Sequence, residues 1–125
     1  MVFEPPSLEI FDERPAPGTR VVALAGELHL STAPELRARL SRVISLRPPA
    51  LIVDLSGVEF IDSTGLSVLL GALRRVERSG GRLALVAGSA TVMRLFHITR
   101  LDETFAICAT REEALERVGA TGDGR

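Results

Sequence analysis

Residues 51–86 change periodicity twice, and that change limits the folds open to the chain. LIVDL (residues 51–55) is a compact apolar run, as expected of a central parallel strand covered on both faces. Beyond it, Leu66, Leu69, Leu70, Leu73 and Val76 recur at helical spacing, and Gly80-Gly81 supplies a stop. LALV (residues 83–86) then reads as another buried strand. The flanks continue the alternation. Residues 7–12 (SLEIFD) alternate like a half-exposed edge strand, residues 13–19 (ERPAPGT) read as a loop, and residues 20–25 (RVVALA) read as a second strand. So short a connection favours an antiparallel hairpin. From Thr32, TAPELRARLSRVIS puts Ala33, Leu36, Leu40, Val43 and Ile44 on one helical face. Thr32 and Glu35 have capping-box spacing, Pro34 falls in the first turn, and Pro48-Pro49 ends the element. A shorter helix over 89–99, a last strand over 105–109 (FAICA) and a final helix opened by Thr110 complete the pass. The order is β-β-α-β-α-β-α-β-α. It predicts an α/β fold with a small, mostly parallel sheet and right-handed crossovers. One domain is expected over residues 7–118, with flexible ends at 1–6 and 119–125.

Composition narrows the function. With 125 residues, 46% of them hydrophobic, the chain can bury a sizeable core. Its net charge is -1, from 15 basic and 16 acidic residues, and phosphate-backbone binding requires a basic surplus. The aromatics are five Phe, which makes base-stacking platforms an unsuitable reading. No nucleic-acid partner is therefore expected. The one cysteine, Cys108, excludes an internal disulfide and fits a reducing cytosol. The N-terminus has no signal-peptide pattern, and no apolar run approaches the roughly 18 residues of a membrane span, so a cytoplasmic location is expected.

Familiar chemistries fit poorly. Ser63 lacks a G-x-S-x-G elbow because Ile61 stands where the first glycine belongs. His29 and His97 are far apart in sequence, with no acid obviously set to orient either, which weighs against a Ser-His-acid triad. One Cys and two His at no ligand-like spacing make a metal site a poor reading. Neither a P-loop nor a G-x-G-x-x-G follows a strand, and the chain contains no Lys. No catalytic residue, metal or cofactor is assigned.

FIDSTGLSVLLGAL (residues 60–73) remains. As structure alone, Asp62 or Ser63 caps the coming helix. Gly65 in the first turn costs stability relative to Ala and suggests open access to the hydroxyls of Ser63 and Thr64. Val68, Gly71, Ala72 and Arg75 form a stripe of mostly small or apolar residues, either half-covered by neighbouring helices or a docking face for a partner. A phosphoryl group on Ser63 would add about -1.5 to -2 charge at a helix start, where the dipole tolerates anions.

Three segments, GELHLSTAPEL (26–36), LIVDLSGVEFIDSTGLSVLLGAL (51–73) and the GGRLALV stretch ending at Val86, resemble the anti-sigma factor antagonists of the single-domain STAS family. The resemblance spans about residues 8–118. It implies helices gathered largely on one face of the sheet. It also implies partner switching, in which the antagonist captures an anti-sigma factor that is itself a serine kinase and so frees a sigma factor. Phosphorylation of the serine after the motif's aspartate, here Ser63, releases the partner, and a serine phosphatase restores binding. The partner-facing residues would be Asp62, Ser63, Thr64, Gly65, Val68, Gly71, Ala72, Arg75 and His29. His29 departs from the family's usual aspartate. It either alters the electrostatics around Ser63, with a pH-dependent charge, or is an inconsequential loop residue. The alternatives are a STAS module of a transport or signalling complex, or one binding a small ligand or nucleotide, with Ser63 unmodified. A serine hydrolase is a third. A monomer or weak homodimer is expected.

Overall fold

The computed structural model describes residues 7–119. Nine main elements follow the expected order: β1 (Leu8–Ala16), β2 (Thr19–Leu28), α1 (Ala33–Ser45), β3 (Ala50–Ile61), α2 (Ser63–Arg78), β4 (Arg82–Val86), α3 (Ala90–Thr99), β5 (Ala106–Cys108) and α4 (Arg111–Val118). A short 3-10 turn, Leu101–Glu103, precedes β5. The expected flexible ends lie outside the described residues except for Gly119, whose N–H closes α4 on Leu115 O at 2.7 Å.

Strand order in the sheet equals strand order in the chain, β1-β2-β3-β4-β5. Only the β1–β2 pair is antiparallel. That order decides where the helices go. Each parallel step moves the same way across the sheet, so right-handed crossovers place α1, α2 and α3 on one face. Their buried residues, among them Leu36, Leu40, Leu66, Leu69, Leu73, Val92 and Phe96, pack on Val22, Leu24, Leu51, Val53, Leu55 and Leu85. Phe96 and Phe105 meet edge to face at 5.7 Å. Only α4, which follows the last strand, covers the other face, where Ala114 and Val118 pack on Val21, Ile52, Ala84, Val86 and Cys108. Period-two alternation along β3 sorts Leu51, Val53 and Leu55 from Ile52 in this way.

Two strands are longer than their apolar runs. β1 continues through the stretch read as a loop, because a register shift between Glu13 and Ala16 takes Arg14 and Pro15 out of the ladder on an edge strand. β3 runs on to Ile61 because Gly57, Val58, Phe60 and Ile61 pair with the second half of β2. Of β3, only Ala50–Asp54 pairs with β4, so the extension is an edge, with Val58 and Ile61 buried and the residues around them exposed.

A polar clamp centred on the buried Asp54 links β1, β3 and α4. Arg111 donates two bonds to Asp54 Oδ2, from Nε at 3.1 Å and Nη2 at 3.0 Å, and its Nη1 reaches Glu13 Oε1 at 2.6 Å. Asp54 also accepts from the Ser56 N–H and hydroxyl. Burial alone would raise the Asp54 carboxyl. The Ser56 bonds, then Arg111, outweigh it and hold the group below its ordinary value. β1, β3 and α4 are tied together on the face away from α1 and α2.

Candidate functional site

The parallel strands β2 and β3 end side by side, at Leu28 and Ile61, and the loops beyond them build the site. Asp62 is its hinge. Its extended backbone (φ -117°, ψ -176°) is the conformation an N-cap needs, and Oδ1 accepts from Gly65 N–H at 3.0 Å. Its Oδ2 accepts from Leu30 N–H at 3.1 Å, and its own N–H donates to Leu28 O at 3.1 Å. One carboxylate therefore caps α2 and fastens the loop after β2. Of the two candidate caps, Asp62 is the one used.

Ser63 is thereby released from structural duty. It is the first residue of α2 and exposed, and its hydroxyl makes no hydrogen bond among the described residues. Thr64 beside it is half-buried. The Ser63 and Thr64 N–H groups also lack protein acceptors among the described residues, leaving two orphan donors at the helix start.

Gly65 is not there for access. It is buried, and an added Cβ would lie 2.7 Å from Leu28 Cγ and 3.1 Å from Ile61 Cγ1. Its missing side chain lets α2 sit directly on the strand ends. The stripe Val68, Gly71, Ala72, Arg75 divides. Val68 and Ala72 are 5% and 4% exposed and belong to the core under α1, whereas Gly71 and Arg75 are exposed.

The loop carrying His29 is more ordered than its sequence suggests. His29 Nδ1 accepts from Ser31 N–H at 3.1 Å, which assigns the proton to Nε2, and Nε2 faces Glu27 Oε1 at 3.5 Å. The ring also lies against Phe60, with centroids 6.3 Å apart. Thr32 does not cap α1 as its spacing predicts. Its backbone is already helical, and its hydroxyl instead donates to Glu27 O at 2.8 Å and accepts from His29 N–H at 3.0 Å.

Two residues escaped the sequence reading. Leu30 is 70% exposed and Phe60 45% exposed. Leu30 N–H is bonded to Asp62, next to Ser63 in the chain, and Phe60 lies three residues before Ser63 at the end of β3, with its ring near His29. Hydrophobicity alone could not have marked them, since Leu and Phe are read as core by default.

Catalytic groups do not gather here. Each histidine does have an acid neighbour, Glu27 for His29 and Asp102 at 2.6 Å for His97, contrary to the sequence reading. Neither ring bonds Ser63 Oγ. No group of three or more His, Cys, Asp or Glu suited to a metal occurs among the described residues. Because strand order never reverses, the sheet has no topological switch point, which is where α/β sheets open ligand crevices. No described helix is long and apolar enough to cross a membrane.

Fold and site together give a mostly parallel sheet whose strand order never reverses, presenting an unencumbered serine on a surface. The chain belongs to the STAS domain family, whose match covers residues 12–114. It is 35% identical over 101 residues to the anti-sigma-F factor antagonist RsfB of Mycobacterium tuberculosis, covering 81% of this chain and 82% of that protein. Among solved structures, an anti-sigma factor antagonist from Mycobacterium paratuberculosis superposes with a TM-score of 0.83 at 35% identity, covering 89% of this chain and 93% of that one. The anti-sigma factor antagonist SpoIIAA in its unphosphorylated form gives a TM-score of 0.76 at 30% identity, over 94% of this chain and all (100%) of that one. The phosphorylated form of the Bacillus SpoIIAA gives 0.68 at 30% identity, over 87% and 98%.

Proposed function

We propose that this chain is an anti-sigma factor antagonist that works by partner switching. Unmodified, it binds an anti-sigma factor through the surface around Ser63, with Leu30 and Phe60 supplying apolar contact, and a sigma factor is freed. The anti-sigma factor is also the kinase. It transfers the γ-phosphoryl group of ATP to Ser63 Oγ, the hydroxyl proton leaves to a base on the kinase, and ADP departs. The kinase brings the nucleotide and its metal, so this chain acts as substrate and ligand rather than as an enzyme. A serine phosphatase hydrolyses the phosphoester and restores binding.

The observation that carries this reading is the exposed Ser63 hydroxyl, without a hydrogen bond of its own, at the first position of α2. A phosphate there meets the orphan N–H groups and the positive end of the helix dipole, so the fold tolerates the added charge. A partner packed on an apolar rim does not, because the dianion would be desolvated against it. The Asp62 carboxylate, one residue away, adds to the negative field. The relatives' names and the existence of SpoIIAA in both unphosphorylated and phosphorylated forms support the same assignment.

Incubation with the cognate anti-sigma factor, ATP and Mg²⁺, followed by intact mass and peptide mapping, tests it. One phosphoryl group on Ser63 is expected and none on the half-buried Thr64. No modification by an authentic partner contradicts the switch.

A further inference from the structure

From Ser67, one turn of α2 beyond Ser63, α1 and α2 leave a groove of about 180 Å³ between them, which continues past Ile44 and Arg75 into an open trough of about 360 Å³. The floor is apolar, with Leu40 and Ile44 from α1 and Val68 and Ala72 from α2. The rim is arginine. Arg37, Arg47, Arg75 and Arg78 are exposed, and none forms an ion pair among the described residues. Arg75 Nη1 donates to Ser41 Oγ at 2.8 Å, and no acidic residue lines either part. In a chain whose net charge is -1, this is local segregation of positive charge rather than a general surplus.

One feature of the trough has no explanation inside the fold. Gly71 lies in the middle of α2, where glycine lowers helix stability relative to alanine. An added Cβ there would meet nothing within 4 Å, so no internal packing calls for glycine. Arg47, on the rim, has φ +55° and ends α1 with its N–H on Ile44 O at 2.8 Å, as Arg100 ends α3.

We infer that this trough is a second docking surface, and that its occupant is an amphipathic helix of a protein partner carrying Glu or Asp along its edges. An apolar floor flanked by unpaired guanidinium groups is complementary to such a helix and repels a basic one. Gly71 opens room for its backbone to approach α2. The groove begins at Ser67, one turn of α2 from Ser63, but Ser63 itself lines neither part, so its occupancy is tested apart from the phosphorylation reading.

The test uses the full chain and two labelled helical peptides, one with leucine on one face and glutamate on the flanks, the other with glutamine replacing glutamate. The glutamate peptide is expected to bind at least about tenfold more tightly, to weaken with added salt, and to shift amide resonances of Ser67, Gly71 and Ser79 but not those of residues 29–31. The double substitution Arg37→Ala/Arg75→Ala should lower its affinity at least about tenfold with an unchanged thermal midpoint, and Gly71→Leu should do the same by filling the floor. Ser63→Asp should leave it unaltered, which keeps this result separable from the switch. Equal affinity of the two peptides, no binding, or indifference to the arginine substitutions overturns the proposal. Tighter binding to phosphatidylserine vesicles than to the glutamate peptide also overturns it, by assigning the trough to a membrane surface.

Discussion

At the scale of single residues, the site is a division of labour among neighbours. Asp62 takes the capping duty that Ser63 would otherwise share, and Gly65 makes room for Leu28. Gly65→Ala sets two effects against each other. Helix propensity favours alanine by about 1 kcal/mol. A Cβ placed 2.7 Å from Leu28 Cγ and 3.0 Å from Leu28 O overpacks a buried contact, and the backbone oxygen cannot turn aside. Overpacking typically costs about 1–3 kcal/mol, so a net loss of up to about 2 kcal/mol is expected as a lower urea midpoint. A raised midpoint would contradict this packing. Asp62→Ala removes the cap, for a loss of about 1 kcal/mol, and also strips Leu30 N–H of its acceptor. Hydrogen exchange should therefore quicken at Leu30 as well as at Gly65, whereas a cap with no tether would affect Gly65 alone. The D-S-T-G spacing made a cap legible in the sequence. Leu28 as the reason for the glycine was not, because that contact depends on how β2 and β3 end side by side.

At the scale of elements, α4 stands apart as the one helix on its face, and Arg111 anchors it. Arg111→Ala would leave the Asp54 carboxylate buried beside Ser56 without a cation, a loss of about 1–3 kcal/mol. Cys108 offers a native probe. Burial, then the nearby Glu113 carboxylate, pushes its thiol up from the ordinary value, so alkylation of the folded protein is slow. Loosening α4 by Arg111→Ala should accelerate that alkylation while leaving binding at Ser63 intact. The clamp also sets an acid limit. The Asp54 carboxyl lies below its unfolded value of about 3.9, so its contribution is fully present above that pH and is lost as pH falls toward the folded value. Thermal midpoints should drop more steeply below about pH 4 for the native chain than for Asp54→Asn. Most of these elements were legible because each carries one clear period. The exceptions have physical causes: a proline tolerated on an edge strand at Pro15, and the half-covered second part of β3. The Asp54–Arg111–Glu13 clamp was invisible, since its members are far apart in sequence and meet only when α4 folds back over the sheet.

At the scale of the whole molecule, the one-directional strand order explains the mode of action proposed above. It gathers α1, α2 and α3 on one face and denies the sheet a crevice, so what remains for function is surface. On that surface lie a serine end, with Asp62, Leu30 and Phe60, and, starting one turn further along α2 at Ser67, the arginine trough between α1 and α2. The fold class, and the place of Ser63 at the start of α2, could be read from residue patterns. Which apolar residues stay outside, and which part of the α2 stripe goes inside, could not, because both depend on how α1 lies over α2. The central claim is that a phosphate on Ser63 breaks the contact with the anti-sigma factor. Calorimetric titration of that partner with the unmodified chain and with the stoichiometrically Ser63-phosphorylated chain tests it most directly. The phosphorylated chain should bind at least about tenfold more weakly, roughly 1.4 kcal/mol, while keeping the same thermal midpoint within a few degrees. Equal affinity of the two forms would contradict the account.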